Sequence, residues 1–211
     1  MSTVLVRNNS GASGAGGSSA AVTITSTTAG RTLVIATGKA ALDGNITSIT
    51  DNIGGQTYTQ VPGVRFFHVP FTAGGDMYIA NNVAAGITSV TINADAACLD
   101  SLYVFEIDDA VLDTASAGTF NSTAVGCAVN NTDAGALMIE ATESGGADNP
   151  IQAPWTEVTT VINSNTAGWI NPGDTAGRTP NFTGTSANIY YAASFKTPAA
   201  GGNVLMGQCC T

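Results

Sequence analysis

Apolar and polar residues along this chain follow a period of two, not the period of about 3.6 that is typical of helices. In residues 22–25, Val and Ile alternate with Thr, as expected for a β-strand that buries one face. No segment has the spacing of an amphipathic helix. The same reasoning predicts further strands at 32–38, 46–51, 56–61, 76–81, 87–93, 101–108, 123–129, 136–142, 156–162, 188–196 and 203–207.

Turn residues separate these short strands. Segments rich in Gly, Asn, Asp or Ala interrupt the pattern at 51–55, 73–76, 84–86, 143–146 and 199–202. Many short strands with frequent turns predict an all-β chain, an antiparallel β-sandwich of jelly-roll-like or Ig-like topology. The apolar runs at 32–38 and 136–142 are expected to be central strands that are buried on both faces.

The first twenty residues differ in composition from the rest. Residues 10–20 read SGASGAGGSSA, which is typical of a flexible linker, and a short strand-like piece precedes them. The sequence therefore predicts an extended N-terminal arm, residues 1–20, ahead of a single β-sandwich domain, residues 21–211. Pairing with an exposed sheet edge of a partner is expected for the start of this arm, at Val4, Leu5, Val6 and Arg7.

Charge limits the classes of partner. Charged residues make up 10% of the chain, against about 25% in an average soluble domain. The net charge of −9 disfavours binding to nucleic acid or to an anionic membrane, because both need clustered cations. No apolar run approaches the roughly 20 residues that span a bilayer, and the beginning of the chain does not resemble a signal peptide. We expect synthesis in a cytoplasm and broad contacts through a surface of Thr, Ser, Asn and Gly.

Residues that perform chemistry are few. A Ser-His-Asp triad would require His68, the single histidine, which lies among phenylalanines without a G-x-S-x-G sequence nearby. A glycosidase needs two carboxylates across a cleft, and spacing alone pairs none of the strand carboxylates Glu106, Glu140 and Glu157. The sequence therefore predicts a protein that is not an enzyme and has no cofactor. A solvated turn, not a calcium site, is the prediction for Asp108, Asp109 and Asp113.

Cysteines and tryptophans each leave an alternative open. The four cysteines, at 98, 127, 209 and 210, are interpreted as thiols without a metal, and a Cys98–Cys127 disulfide is the alternative. Trp155 and Trp169 are expected to serve the core, but exposed rings at these positions would stack on sugar faces. Residues 163–187, rich in Asn, Thr, Gly and Pro, are predicted to form a long surface loop.

A family resemblance runs along most of residues 21–208. It is carried by TAGRTLVIATG (28–38), TSITDNIGGQTYT (47–59), MYIANNVAAGITSVTI (77–92) and YVFEIDDAVLDTAS (103–116). The later segments DAGALMIEAT (133–142) and NIYYAASFKTPAAGG (188–202) extend it. These segments resemble a β-sandwich family of tailed-bacteriophage virion proteins and some bacterial surface proteins. The short tail MGQCCT departs from that pattern.

Within that family, a single sandwich with an arm is similar to capsid decoration, or cement, proteins. The resemblance implies a virion structural protein on the outer capsid surface, which stabilises the phage head by bridging subunits of the major capsid protein. It also implies contacts with copies of itself, often as a homotrimer. The alternative is a receptor- or glycan-binding module of a tail fibre or a cell surface, with Trp155 and Trp169 as the glycan-binding residues.

Overall fold

Short β-strands connected by turns make up the protein in the computed structural model, which describes residues 3–40, 44–121, 125–144, 150–158, 165–183 and 188–199. The all-β prediction is confirmed, because this part of the chain contains strands and one 3-10 turn, Val69–Phe71. The strands are β1 Leu5–Gly17, β2 Ser19–Thr23, β3 Thr32–Lys39, β4 Ile46–Asp51, β5 Thr59–Gln60, β6 Phe66–His68, β7 Ala73–Ala80, β8 Ser89–Ala94, β9 Leu99–Ile107, β10 Val111–Asn121, β11 Leu137–Ser144, β12 Thr156–Glu157, β13 Ala167–Ile170 and β14 Asn188–Lys196.

The strands form three antiparallel sheets. The central sheet has the order β1-β9-β3-β7-β5, and β6 also pairs with β7. The C-terminal sheet has the order β10-β14-β11-β13-β12, and a small sheet has the order β2-β8-β4. The C-terminal sheet packs on one face of the central sheet and the small sheet on the other. The predicted antiparallel β-sandwich is therefore confirmed, with a third sheet added to its outside.

Two apolar cores lie on the two faces of the central sheet. On β9, Tyr103 and Phe105 point into the core shared with the C-terminal sheet. The intervening Leu102 and Val104 point into the core shared with the small sheet. All residues of β3 are likewise buried, which confirms the prediction for 32–38. Each large aliphatic side chain buried in this way stabilises the fold by about 1.5–3 kcal/mol.

A third apolar cluster covers the outer face of the C-terminal sheet. Met138 of β11 and Tyr190 of β14 pack there against loop residues such as Trp155 and Phe182. The Phe182 and Tyr190 rings are 4.9 Å apart between centroids. The opposite face of β11 contributes Ile139 to the core facing the central sheet. The segment 136–142 is therefore buried on both faces, as predicted.

The N-terminal segment differs from the predicted arm. β1 is extended, but it pairs antiparallel with β9 of its own chain, from Leu5 opposite Ile107 to Gly17 opposite Leu99. Strand pairing uses main-chain groups, so a Gly- and Ser-rich sequence pairs without contributing large side chains. The composition predicted a linker because small side chains give no sign of burial, whereas main-chain pairing with β9 does not depend on them. Val4–Arg7 thus belong to an edge of the protein's own central sheet.

Two further expectations about secondary structure are corrected or fall outside the described residues. The predicted loop 163–187 contains β13, which pairs with β11 from Met138–Ile170 to Ala141–Ala167. Its apolar run AGWI is only four residues long and lies among polar neighbours, which is too short to predict a strand. The predicted strand 203–207, together with the cysteines at 209 and 210, lies outside the described residues.

Candidate functional site

A groove lies where the beginning of the chain meets the edge of the C-terminal sheet. Its cavity volume is about 370 Å³. Residues distant in sequence line it, including Val4, Leu5, Pro154, Thr156, Trp169 and Asn171. This groove, called the Trp169 groove below, brings together two of the residues predicted for partner contact and one predicted for glycan binding.

Strand pairing positions Trp169 at this groove. On β13 it lies opposite Ile139 of β11 on one side and opposite Thr156 of β12 on the other. Its side chain is half-buried and packs partly against the core between the central and C-terminal sheets. The indole is therefore held by the sheet and still borders an open, polar-rimmed cavity. An aromatic face beside hydroxyl and amide groups is suitable for stacking on a sugar ring.

Hydrogen bonds fix the start of the chain at the other side of the groove. The Asn171 side-chain amide donates to the Thr3 carbonyl oxygen at 3.3 Å. The Thr3 amide donates to the carbonyl of Gly135 at 2.7 Å, and the Asp108 amide donates to that of Val4 at 3.0 Å. The groove wall formed by residues 3–5 is thus anchored to three separate parts of the fold.

Trp155 occupies a different environment from Trp169. It is only 6% exposed and belongs to the third apolar cluster. A ring enclosed by Ile151, Phe182 and their neighbours has no free face for a sugar. The structure therefore removes Trp155 from the candidate glycan-binding residues and leaves Trp169.

Of the four residues predicted for partner contact, two side chains point outward and two contact the rest of the fold. Val4 and Val6 are 51% and 36% exposed. Leu5 instead packs against the core between the central and C-terminal sheets. The Arg7 Nε lies 2.6 Å from Glu106 Oε2. Val4 and Val6 are the side chains of this group that a partner could reach.

Most of the carboxylates considered from the sequence are engaged in separate local contacts. Glu106 also accepts a hydrogen bond from the Thr28 amide at 3.1 Å. Asp108 forms an ion pair with Arg31. Asp113 forms one with Lys196 at 2.8 Å. Glu157 accepts a hydrogen bond from the Thr166 hydroxyl at 2.8 Å.

A second open cavity of about 380 Å³ lies beside Arg31, Asp108 and Asp109. Across the described ranges, no three His, Cys, Asp or Glu side chains converge as metal ligands. His68 lies on β6, which pairs with β7, at the side of the central sheet opposite β1.

Among the described residues, Cys98 and Cys127 form no disulfide and are buried in different layers. Cys98 belongs to the core beneath the small sheet, and Cys127 belongs to the third cluster. The alternative of a Cys98–Cys127 disulfide is therefore wrong. The Cys127 thiol instead donates to the Tyr190 carbonyl oxygen at 2.9 Å.

Two buried glutamates stand out in the C-terminal sheet. Glu140 accepts a hydrogen bond from the Cys127 amide at 2.9 Å through Oε1, while its Oε2 has no hydrogen-bond partner. Burial raises the pKa of Glu140 well above its ordinary value, and the Cys127 hydrogen bond offsets this only in part. Burial therefore favours the neutral form of the Glu140 carboxyl group over the carboxylate.

Glu143 shares a buried amide with a second acid. The Asn165 Nδ2 donates to Glu143 Oε2 at 2.9 Å and to Asp100 Oδ2 at 2.8 Å. Burial, followed by the charge and hydrogen bond of Asp100, raises the pKa of Glu143 well above its ordinary value. Sequence reasoning missed this group because Asp100 on β9 and Asn165 just before β13 are 65 residues apart and carry no local motif. Both acids, Asp100 and Glu143, are enclosed, at 6% and 3% exposure, so they form a buried structural cluster and not an open catalytic cleft.

The fold and the groove define a class: a three-sheet β-sandwich protein with an open edge strand and an aromatic groove beside it. Comparison with protein-family models, with curated proteins and with solved structures gave no match. In the described part of the chain, no helix is long and apolar enough to cross a membrane.

Proposed function

We propose that this protein is a non-enzymatic virion structural protein, a decoration protein that binds the outer surface of a phage capsid and bridges neighbouring subunits. The outer edge of β1 is the observation that carries the proposal. β1 pairs with β9 on one side, and among the described strands none pairs with its other side. Main-chain N–H and C=O groups on that side are available to a strand from a partner.

The composition of β1 supports strand addition. Protein edges are commonly protected by Lys or Pro, which block pairing with another chain. The thirteen residues of β1 include neither Lys nor Pro, and Arg7 is their single charged residue. The exposed Val4 directly precedes β1 and the exposed Val6 is its second residue, and both offer apolar contact. This reverses the direction expected from the sequence: the partner adds a strand to this protein's edge.

The low charge of the chain also favours assembly. With 10% charged residues, a broad interface buries mainly hydroxyl, amide and methyl groups. Desolvating these groups costs less than desolvating Lys or Glu. Many weak contacts repeated over a capsid would then sum to stable decoration, and contacts with copies of this chain in a homotrimer would add to them.

Electron microscopy of undecorated capsids mixed with the purified protein tests this proposal. We expect added density at regular positions, with β1 against a capsid subunit. Val6→Lys should abolish the density, because a charged side chain at the edge opposes pairing, and circular dichroism should remain unchanged because Val6 is exposed. Ile53→Lys is the matched control, since Ile53 is 50% exposed in a turn away from β1. Bare capsids with the unaltered protein would refute the decoration role.

Glycan binding is a second candidate, favoured by the Trp169 groove. The half-buried indole borders a cavity lined also by Pro154, Thr156 and Asn171. A glycan array with the unaltered protein should then give binding that Trp169→Ala removes and Ile53→Ala retains. No bound glycan on the array would count against this candidate and leave the edge of β1 as the functional surface.

A further inference from the structure

Lys39 and Asp76 form an enclosed ion pair between neighbouring strands of the central sheet. Lys39 ends β3 and Asp76 lies on β7, where the register places Thr37 opposite Asp76 and Lys39 opposite Gly74. The two side chains are therefore diagonal neighbours on one face of the sheet. Their exposed fractions are 0% and 1%, and Lys39 Nζ is 2.8 Å from Asp76 Oδ2.

The surroundings of this pair orient both groups. The Gln60 side-chain amide donates to Asp76 Oδ1 at 3.0 Å, and the Arg65 Nε lies 3.8 Å from the same oxygen. The Lys39 ammonium lies 5.2 Å from the centroid of the Phe67 ring and donates to the Gly44 carbonyl oxygen at 3.4 Å. Oδ2 of Asp76 thus faces the amine, while Oδ1 accepts a hydrogen bond from Gln60 and lies near the Arg65 guanidinium.

We propose that Lys39 and Asp76 condense to an intramolecular amide that crosslinks β3 to β7. In this step Lys39 Nζ forms a bond to Asp76 Cγ, and the bond from Cγ to Oδ2 breaks. Two protons of the ammonium leave with Oδ2 as one water molecule, and the third stays on the amide nitrogen. One positive and one negative charge disappear together, so the step needs no oxidant, reductant or further reactant.

Three features of the site favour this reaction. Oδ2 is bonded to Cγ, so an amine 2.8 Å from Oδ2 is close to the separation of about 3–3.5 Å from which a nucleophile attacks. Gln60 and Arg65 are placed to stabilise the negative charge that develops on Oδ1 during the attack. Burial penalises the two ions and not the neutral amide, so the interior favours the product.

A second ion pair in the chain provides an internal comparison. Lys196 Nζ also lies 2.8 Å from an Asp oxygen, that of Asp113, but the Lys196 side chain is 34% exposed. Water solvates that ammonium and therefore favours the charged pair over the neutral amide. The Asp113 side chain is itself 0% exposed, so the two pairs differ in the exposure of the amine, and the exposed amine should leave this pair uncondensed.

Intact mass spectrometry of the denatured, reduced protein tests the proposal directly. We expect the folded protein to be lighter than its sequence mass by one water molecule. Lys39→Arg keeps the positive charge but carries no primary amine, so it should show the full sequence mass. Peptide mapping should find residues 32–65 joined to the peptide that contains Asp76, with no tryptic cleavage after Lys39. The peptides of Lys196 and Asp113 should remain separate.

Other outcomes overturn the proposal. The full sequence mass in freshly purified and in aged folded protein would mean that Lys39 and Asp76 remain an ion pair. Dehydration of the Asp43–Gly44 dipeptide to a succinimide also removes one water, so the position of the loss matters. A loss confined to the peptide 40–65, with chain cleavage between Asp43 and Gly44 by hydroxylamine, would assign it to that dipeptide and reject the crosslink.

Discussion

Tyr103 and Tyr191 enter one core from facing sheets, but only the Tyr103 hydroxyl forms a hydrogen bond there. Both side chains are fully buried. The Tyr103 hydroxyl donates to the Asn165 carbonyl oxygen at 2.7 Å, whereas the Tyr191 hydroxyl has no hydrogen-bond partner. Burial raises the pKa of Tyr191 well above its ordinary value, and the nearby Glu143 adds to this effect. Tyr191 is therefore a neutral phenol with an unsatisfied polar atom in the core.

Replacing each tyrosine by phenylalanine should have different effects on stability, with a loss only at Tyr103. Tyr103→Phe should lower the free energy of unfolding by about 1 kcal/mol, because a buried hydrogen bond is lost. Tyr191→Phe should leave it unchanged or raise it by up to about 1 kcal/mol, because an unsatisfied hydroxyl is removed. Urea unfolding of both variants at neutral pH checks this. Equal losses in the two variants would contradict the assignment.

Glu140→Gln should change how stability depends on pH. A carboxyl group whose pKa is raised on folding stabilises the protein fully below its unfolded pKa of about 4.3 and loses that contribution as pH rises toward the folded value. Unfolding should therefore become easier with rising pH, by at most about 1.4 kcal/mol per pH unit for one such group. The variant should have a shallower dependence. Urea unfolding of both proteins from acid to neutral pH checks this. If the free energies of unfolding of the unaltered protein and of Glu140→Gln change in parallel with pH, Glu140 does not titrate in this way.

The two tryptophans should differ in their contribution to stability. Trp155→Ala leaves a cavity in the third apolar cluster and should cost about 3–5 kcal/mol. Trp169→Ala should cost clearly less, because that ring is half-buried beside an open groove. Thermal unfolding followed by fluorescence compares them. A larger loss at Trp169 would show that its ring serves the core more than the groove.

Gly75→Ala tests the fit between the central and C-terminal sheets. A Cβ at this position of β7 would overlap the Tyr191 ring. We expect a loss of about 1–3 kcal/mol from overpacking. In a Tyr191→Leu background the same change should cost less, because the ring is absent. Additive losses in this double-mutant cycle would indicate that the two residues do not meet.

The hydrophobic pattern of the chain predicted the strands that carry apolar side chains buried in the core. Residues 32–38 and 136–142 were expected to be buried on both faces and are so, because an apolar run without alternation has no solvent face. The pattern did not predict the length of β1, because its Gly- and Ser-rich sequence has almost no large apolar side chains. β13 was missed because four residues are too few to establish a period.

The sequence by itself determined the fold class, the low charge that favours assembly and the identity of the central strands. Each of these follows from the kinds of residue present and from their local alternation. The tertiary structure alone decided that Val4 and Trp169 border one groove, that Asp100 and Glu143 share the Asn165 amide, and that Lys39 meets Asp76. The physical reason is that these contacts depend on strand register and sheet packing between segments far apart in the chain, which no local pattern specifies.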